Sequence, residues 1–244
     1  MYAAPPPAPE RHDDPMAAWL AEAAPAGPAG DAYRRCLGEA LAAAPDWQAA
    51  WAPLIAAQFA RPAILAAEFY RHSATEGIGA STIALVAGQC ADPALAAAMA
   101  AHARDEERHC RMFDALARHL APAEPNRFAD LHADNDAFLA SFGGDVDWFL
   151  CDTHIAELRN LVLLGLYVRA AEAADAEPYV RRSLERIFDD EWRHVAYTAP
   201  LVAAVIARGE ADRTEFAATV TAYADAAMAD AARIRHDLEE PRHA

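Results

Sequence analysis

The 244-residue chain is long enough to bury a core without disulfide or zinc staples, and its 55% apolar content, much of it alanine, with only 10 glycines, points to helices. A formal net charge of −16 argues against a nucleic-acid-binding surface, and the absence of any lysine excludes P-loop, Schiff-base and pyridoxal phosphate chemistry. Cys36, Cys90, Cys110 and Cys151 form no CxxC, so neither a zinc ribbon nor a rubredoxin-type iron site is written here, and no apolar run reaches membrane-spanning length.

Residues 1–30, rich in proline and alanine, read as a disordered leader without the basic and apolar regions of a signal peptide. With the scattered cysteines taken as reduced thiols, this suggests a cytoplasmic protein. A helical domain is expected over residues 31–244. It opens with a short helix over about Asp31–Ala44 and a second, after Pro45 and Asp46, ending near Ala60. Pro62 suits the first turn of a long helix reaching about Cys90, and Asp92 followed by Pro93 is a cap and first-turn proline for another, to about Leu120.

The stretch from Ala121 to Asp145 carries Pro122, Pro125 and the Gly143-Gly144 pair around a short helical piece, Asn135 to Phe142. A third long helix is expected from about Val146 to Ala174, and a fourth from Glu177-Pro178 to about Arg208. A fifth, alanine-rich, from about Ala211 to Leu238, reads as a peripheral cover. Four long helices, the second and third joined by a long connection, fit an all-α, ferritin-like four-helix bundle with that connection as the crossover and added helices at both ends.

Two of these helices carry one motif. Asp105-Glu106-Glu107-Arg108-His109 and Asp190-Glu191-Trp192-Arg193-His194 both read Asp-Glu-x-Arg-His, so each holds Glu-x-x-His. The i, i+3 spacing puts carboxylate and imidazole on one helix face, where both reach one metal. Leu95, Met99, His102, Glu106, His109, Phe113 and Leu116 follow helical spacing, as do Leu184, Ile187, Glu191, His194, Thr198 and Val202. Each motif pair therefore interrupts an apolar stripe. An ionised carboxylate there is costly unless a cation compensates it, so two inward-facing copies point to metal rather than to a solvated salt-bridge face.

The paired motif resembles the carboxylate-bridged di-iron family, which includes bacterial multicomponent monooxygenases and ribonucleotide reductase small subunits. The resemblance covers about residues 62–208. It implies one further carboxylate from each of the first and third long helices. Glu76, 30 residues before Glu106, and Glu157, 34 before Glu191, stand at the matching separations. Glu68 is too far from Glu106 for the pattern and reads as a surface or pocket residue. The implied metal ligands are Glu76, Glu106, His109, Glu157, Glu191 and His194, with Glu106 and Glu191 bridging. Asp105 and Asp190 would accept hydrogen bonds from ligand histidines across the site, and Arg108 and Arg193 either pair with these aspartates or are solvated. His72, His102 and His154 each sit a turn from a ligand, as hydrogen-bonded core histidines or as a seventh ligand or proton donor. His154 is the first choice for a catalytic role.

Departures narrow the resemblance. Phe113 stands where ribonucleotide reductase small subunits carry their radical tyrosine, Leu161 replaces the threonine of multicomponent monooxygenases, and Ile187 occupies the position of the extra histidine in arylamine N-oxygenases. Gly77 and Gly79 within a helix allow either close helix packing or room for a small substrate.

The activity implied is O₂ activation by two iron ions, or a mixed manganese–iron pair, acting on a small organic substrate by hydroxylation, N-oxygenation or oxidative cleavage. No flavin, nicotinamide or iron–sulfur motif is present, so an external donor, a ferredoxin or reductase, is implied. An acidic helical bundle also allows a homodimer. The competing readings are a ferroxidase, peroxidase or manganese enzyme on the same ligands, and a metal-free helical adaptor whose inward carboxylates are satisfied by arginines.

Overall fold

The computed structural model describes residues 23–240; of the leader expected over residues 1–30, residues 1–22 lie outside the described residues, and its last three residues belong to the first helix. All regular structure among the described residues is helical. Helices α1 (Pro28–Ala43), α2 (Trp47–Phe59), α3 (Pro62–Ala87), α4 (Pro93–Leu120), α5 (Asn135–Phe142), α6 (Val146–Ala173), α7 (Pro178–Ile206) and α8 (Glu210–Glu239) follow in order. None of the described helices is long and apolar enough to cross a membrane.

Local chemistry explains most of the boundaries. Asp92 caps α4, its side chain accepting from Ala94 N and Leu95 N, while Arg118 and His119 in the last turn complement the carbonyl end of the dipole. Asp134 caps α5 through Ala137 N, and Gly143 ends it at φ 65°, in the left-handed region open to glycine. Helix α1 begins at Pro28, three residues before the expected Asp31. Gly27, at φ 94°, turns the chain into the first-turn proline. Gly30 faces Pro25 so closely that a Cβ would lie 1.7 Å from its carbonyl oxygen, so the entry turn requires glycine there.

The chain forms two compact units. Of the described residues, the first comprises 58–146 and 177–183, the second 23–57, 147–176 and 184–240. In the first, α3 and α4 pack side by side and antiparallel. Phe69 meets Phe113 at 5.6 Å between centroids, and Ser73 donates to the Cys110 carbonyl at 2.9 Å. Helix α5 is tied to α3 by Ser81, which donates to Asn135 Oδ1. At the far end of α4, His119 lies 3.1 Å from Glu177 and edge-on to Tyr179.

In the second unit α6 is buried on every side from Leu161 to Val168, which identifies it as the central helix of that unit. Helix α7 runs antiparallel to it, from the His154–Thr198 contact to the Asp147–Arg208 ion pair. Helix α8 buries a single stripe, Phe216, Val220, Ala224, Ala227, Ala231, Ile234 and Leu238. Against it pack α1, through Tyr33 on Phe216, and α2, through the Trp51 indole N–H donating to the Ala227 carbonyl at 2.8 Å.

Candidate metal centre

Each unit carries one Glu-x-x-His helix, and each builds a buried cluster around it. In the first unit α4 presents Glu106 and His109, and α3 brings Glu76 alongside, so that ligand atoms of the three lie within 4.8 Å of one another. His109 Nδ1 is 3.5 Å from Glu106 Oε2. In the second unit α7 presents Glu191 and His194, and α6 supplies Glu157. His194 Nδ1 is 3.2 Å from Glu191 Oε2 and 3.6 Å from Glu157 Oε2. None of the six residues is more than 5% exposed.

The donor sets fit a divalent metal. Two carboxylates and one imidazole at these separations are the oxygen and nitrogen donors that suit iron, manganese or zinc. Like charges so close in a dry site are costly without a cation between them. The arginines of the two motifs are drawn to the aspartates: Arg108 Nη1 is 2.6 Å from Asp105 Oδ1, and Arg193 pairs with the buried Asp190, which Arg186 also approaches at 3.5 Å. Of the two readings for these arginines, pairing is the one observed.

The extra histidines separate into three environments. His102 lies one turn before Glu106, with Nε2 3.0 Å from Glu106 Oε1, both side chains buried. His72 stacks on Phe113 at 5.1 Å, its Nε2 3.9 Å from Glu68. His154, the first choice for a catalytic role, is held at both ring nitrogens. Thr198 donates its hydroxyl to the His194 carbonyl at 2.7 Å, so its oxygen accepts from His154 Nδ1–H at 2.7 Å. Nε2 then accepts from the Tyr33 hydroxyl at 2.6 Å. Burial lowers the His154 pKa to about 3, against a smaller opposing pull from Glu157, so the ring is neutral. Burial, followed by the nearby Cys151, raises that of Tyr33, which keeps its proton. His154 is thus a hydrogen-bonded core residue bracing α1 against α6 and α7, with both nitrogens committed.

For Glu68, expected at the surface or in a pocket, the second applies. It is buried, not a surface residue, because Arg71 folds back on it with Nη2 at 2.5 Å and Nε at 3.0 Å. Tyr33 and Thr198 had no assigned role from sequence. Thr198 stands at helical spacing from His194, but Tyr33 comes from a distant helix and carries no local signal. Beside Gly77 the structure shows room: a cavity of about 750 Å³ is lined by Gly77, Ala80, Ala84, Ala100, Arg104 and neighbours. A Cβ at Gly79 would meet nothing within 4 Å, and one at Gly77 only the Cys110 sulfur at 3.5 Å, an ordinary contact.

No protein-family model, curated protein or solved structure matches the chain.

Proposed function

We propose that the protein is a non-haem di-iron oxidoreductase of ferritin-like fold that activates O₂ and oxidises a small organic substrate. The observation carrying this reading is the duplication of the cluster: in each unit a Glu-x-x-His helix buries its glutamate and histidine beside one more buried glutamate from a neighbouring helix. A solvated salt-bridge face would expose these groups, and a metal-free core would not gather acidic groups twice in one pattern.

In this reading Glu76, Glu106, His109, Glu157, Glu191 and His194 hold two iron ions, three ligands coming from each cluster. When bound, the iron pair supplies the redox chemistry for O₂ activation, with two electrons per turnover from a separate ferredoxin or reductase. The four glutamates balance the charge of two ferrous ions. The Asp105–Arg108 and Asp190–Arg193 pairs fix the helix faces that carry the ligands, and the Tyr33–His154–Thr198 chain fixes α7 at the His194 carbonyl. The apolar stripes around both motifs exclude water from the oxidant, and the cavity beside Gly77 and Ala80 offers space for an apolar substrate.

The test is anaerobic loading with ferrous iron followed by O₂, recording oxygen consumption and the visible spectrum for wild type, Glu106→Ala and Glu191→Ala. Wild type is expected to consume O₂ with a transient visible absorption that both variants lack. A wild-type protein that takes up no iron and ignores O₂ returns the chain to the metal-free adaptor reading.

A further inference from the structure

The two motif helices match at four of five successive positions, Asp-Glu-x-Arg-His, but differ one turn earlier. Four residues before Glu106 stands His102; four residues before Glu191 stands Ile187. His102 is buried, and its Nε2 lies 3.0 Å from Glu106 Oε1. The other oxygen of the same carboxylate, Oε2, lies 3.5 Å from His109 Nδ1. The carboxylate of Glu106 therefore has an imidazole nitrogen beside each oxygen, both from its own helix.

Two donors bound at right angles to one ion, each about 2.1 Å from it, stand about 3.0 Å apart, and at a tetrahedral angle about 3.4 Å apart. The two nitrogen–oxygen separations on Glu106 are those of donor pairs sharing an ion. A carboxylate bridging two ions has one ion at each oxygen, so an imidazole beside each oxygen reaches a different ion. From this geometry we infer that His102 is a third histidine ligand of the metal centre, binding the ion at Glu106 Oε1 while His109 binds the ion at Oε2. The inference rests on the di-iron reading above and adds to it an inequivalence between the two halves, since the apolar Ile187 supplies no counterpart on the other motif helix. The competing description of the same contact is a charge-assisted hydrogen bond from His102 to Glu106, which would position the carboxylate without touching metal.

X-ray absorption of the ferrous protein, with iron titrations followed by metal analysis, distinguishes these for wild type, His102→Gln and His102→Ala. Three imidazoles over two ions give an average of about 1.5 per iron in wild type, falling to about 1 in His102→Gln. One of the two ions is expected to bind His102→Gln at least about tenfold more weakly, and added imidazole is expected to restore uptake by His102→Ala, whose cavity it can fill. A wild type that binds two irons with about 1 imidazole each, unchanged in His102→Gln, overturns the ligand role and leaves the di-iron reading standing. A wild type that binds no iron overturns both. Circular dichroism of the metal-free variants checks that they fold, and the wild-type imidazole count tests the assignment without any variant.

Discussion

Replacing Glu106 by glutamine tests whether the buried carboxylates are a metal site or a structural network, because the two readings predict opposite signs. In the metal-free protein Glu106 and Glu76 present oxygens within 4.8 Å of each other. At that distance, with an effective dielectric constant of about 20, two carboxylates repel by about 3.5 kcal/mol. The imidazoles of His102 and His109, at 3.0 and 3.5 Å from Glu106, offset part of this. Removing one charge is expected to give a net relief of about 2 kcal/mol, equivalent to a Tm rise of about 4–8 °C for a chain of this size. With ferrous or manganous ion the order should reverse. Ligand at about 100 times Kd stabilises the native state by about 2.7 kcal/mol, and the glutamine variant forfeits most of that. The assay is thermal unfolding followed by circular dichroism, with chelator and with metal under anaerobic conditions. A variant less stable than wild type in chelator would refute the reasoning, since Glu106 would then be satisfied by the protein itself.

The remaining expectations concern the surroundings of the clusters. Tyr33→Phe removes the donor to His154 Nε2 in a fully buried chain and is expected to cost about 1–3 kcal/mol in urea unfolding; an unchanged midpoint would show the contact to be dispensable. His154, with a folded-state pKa of about 3 against an ordinary 6.5, binds its proton more readily in the unfolded chain, so its contribution is complete above about pH 6.5 and is lost as the pH falls toward 3. Between pH 5.5 and 4.5 the slope from this group approaches about 1.4 kcal/mol per pH unit, and His154→Gln should flatten the measured dependence by that amount; an equal slope in the variant would contradict the assignment. Gly79→Ala adds a Cβ that meets nothing within 4 Å in a helix interior, and should stabilise by about 0.5–1 kcal/mol; a loss would mean that the space beside it is needed for packing.

Much of the helical framework is readable from the sequence because its signals are local. Pro62, Asp92-Pro93 and Pro178 mark helix starts by capping and first-turn chemistry that acts within three residues, and the observed helices begin beside them. The burial of Glu106, His109, Glu191 and His194 follows from the apolar residues at helical spacing on either side. Glu76 and Glu157, by contrast, were reached through family resemblance, since a single inward glutamate on a long helix has no motif around it. What the sequence concealed depends on contacts between distant segments. Tyr33 meets His154 across 121 residues, so local periodicity carries no trace of it, and His154 could not be told from His102 until their partners were known. Glu68 has its partner only three residues away, but whether an i, i+3 pair with Arg71 is solvated or buried is decided by what packs over it. Helix α1 starts early because Gly27 adopts a left-handed conformation and Gly30 meets Pro25 closely, and a proline–alanine stretch gave no hint of either.

The central claim is that six buried groups hold two metal ions, and the most direct test is the stoichiometry of anaerobic ferrous iron binding by titration and elemental analysis. The account predicts saturation at two ions per wild-type chain, with at most one retained by Glu106→Ala or by Glu191→Ala. No uptake by wild type, or two ions still bound in both variants, would contradict it.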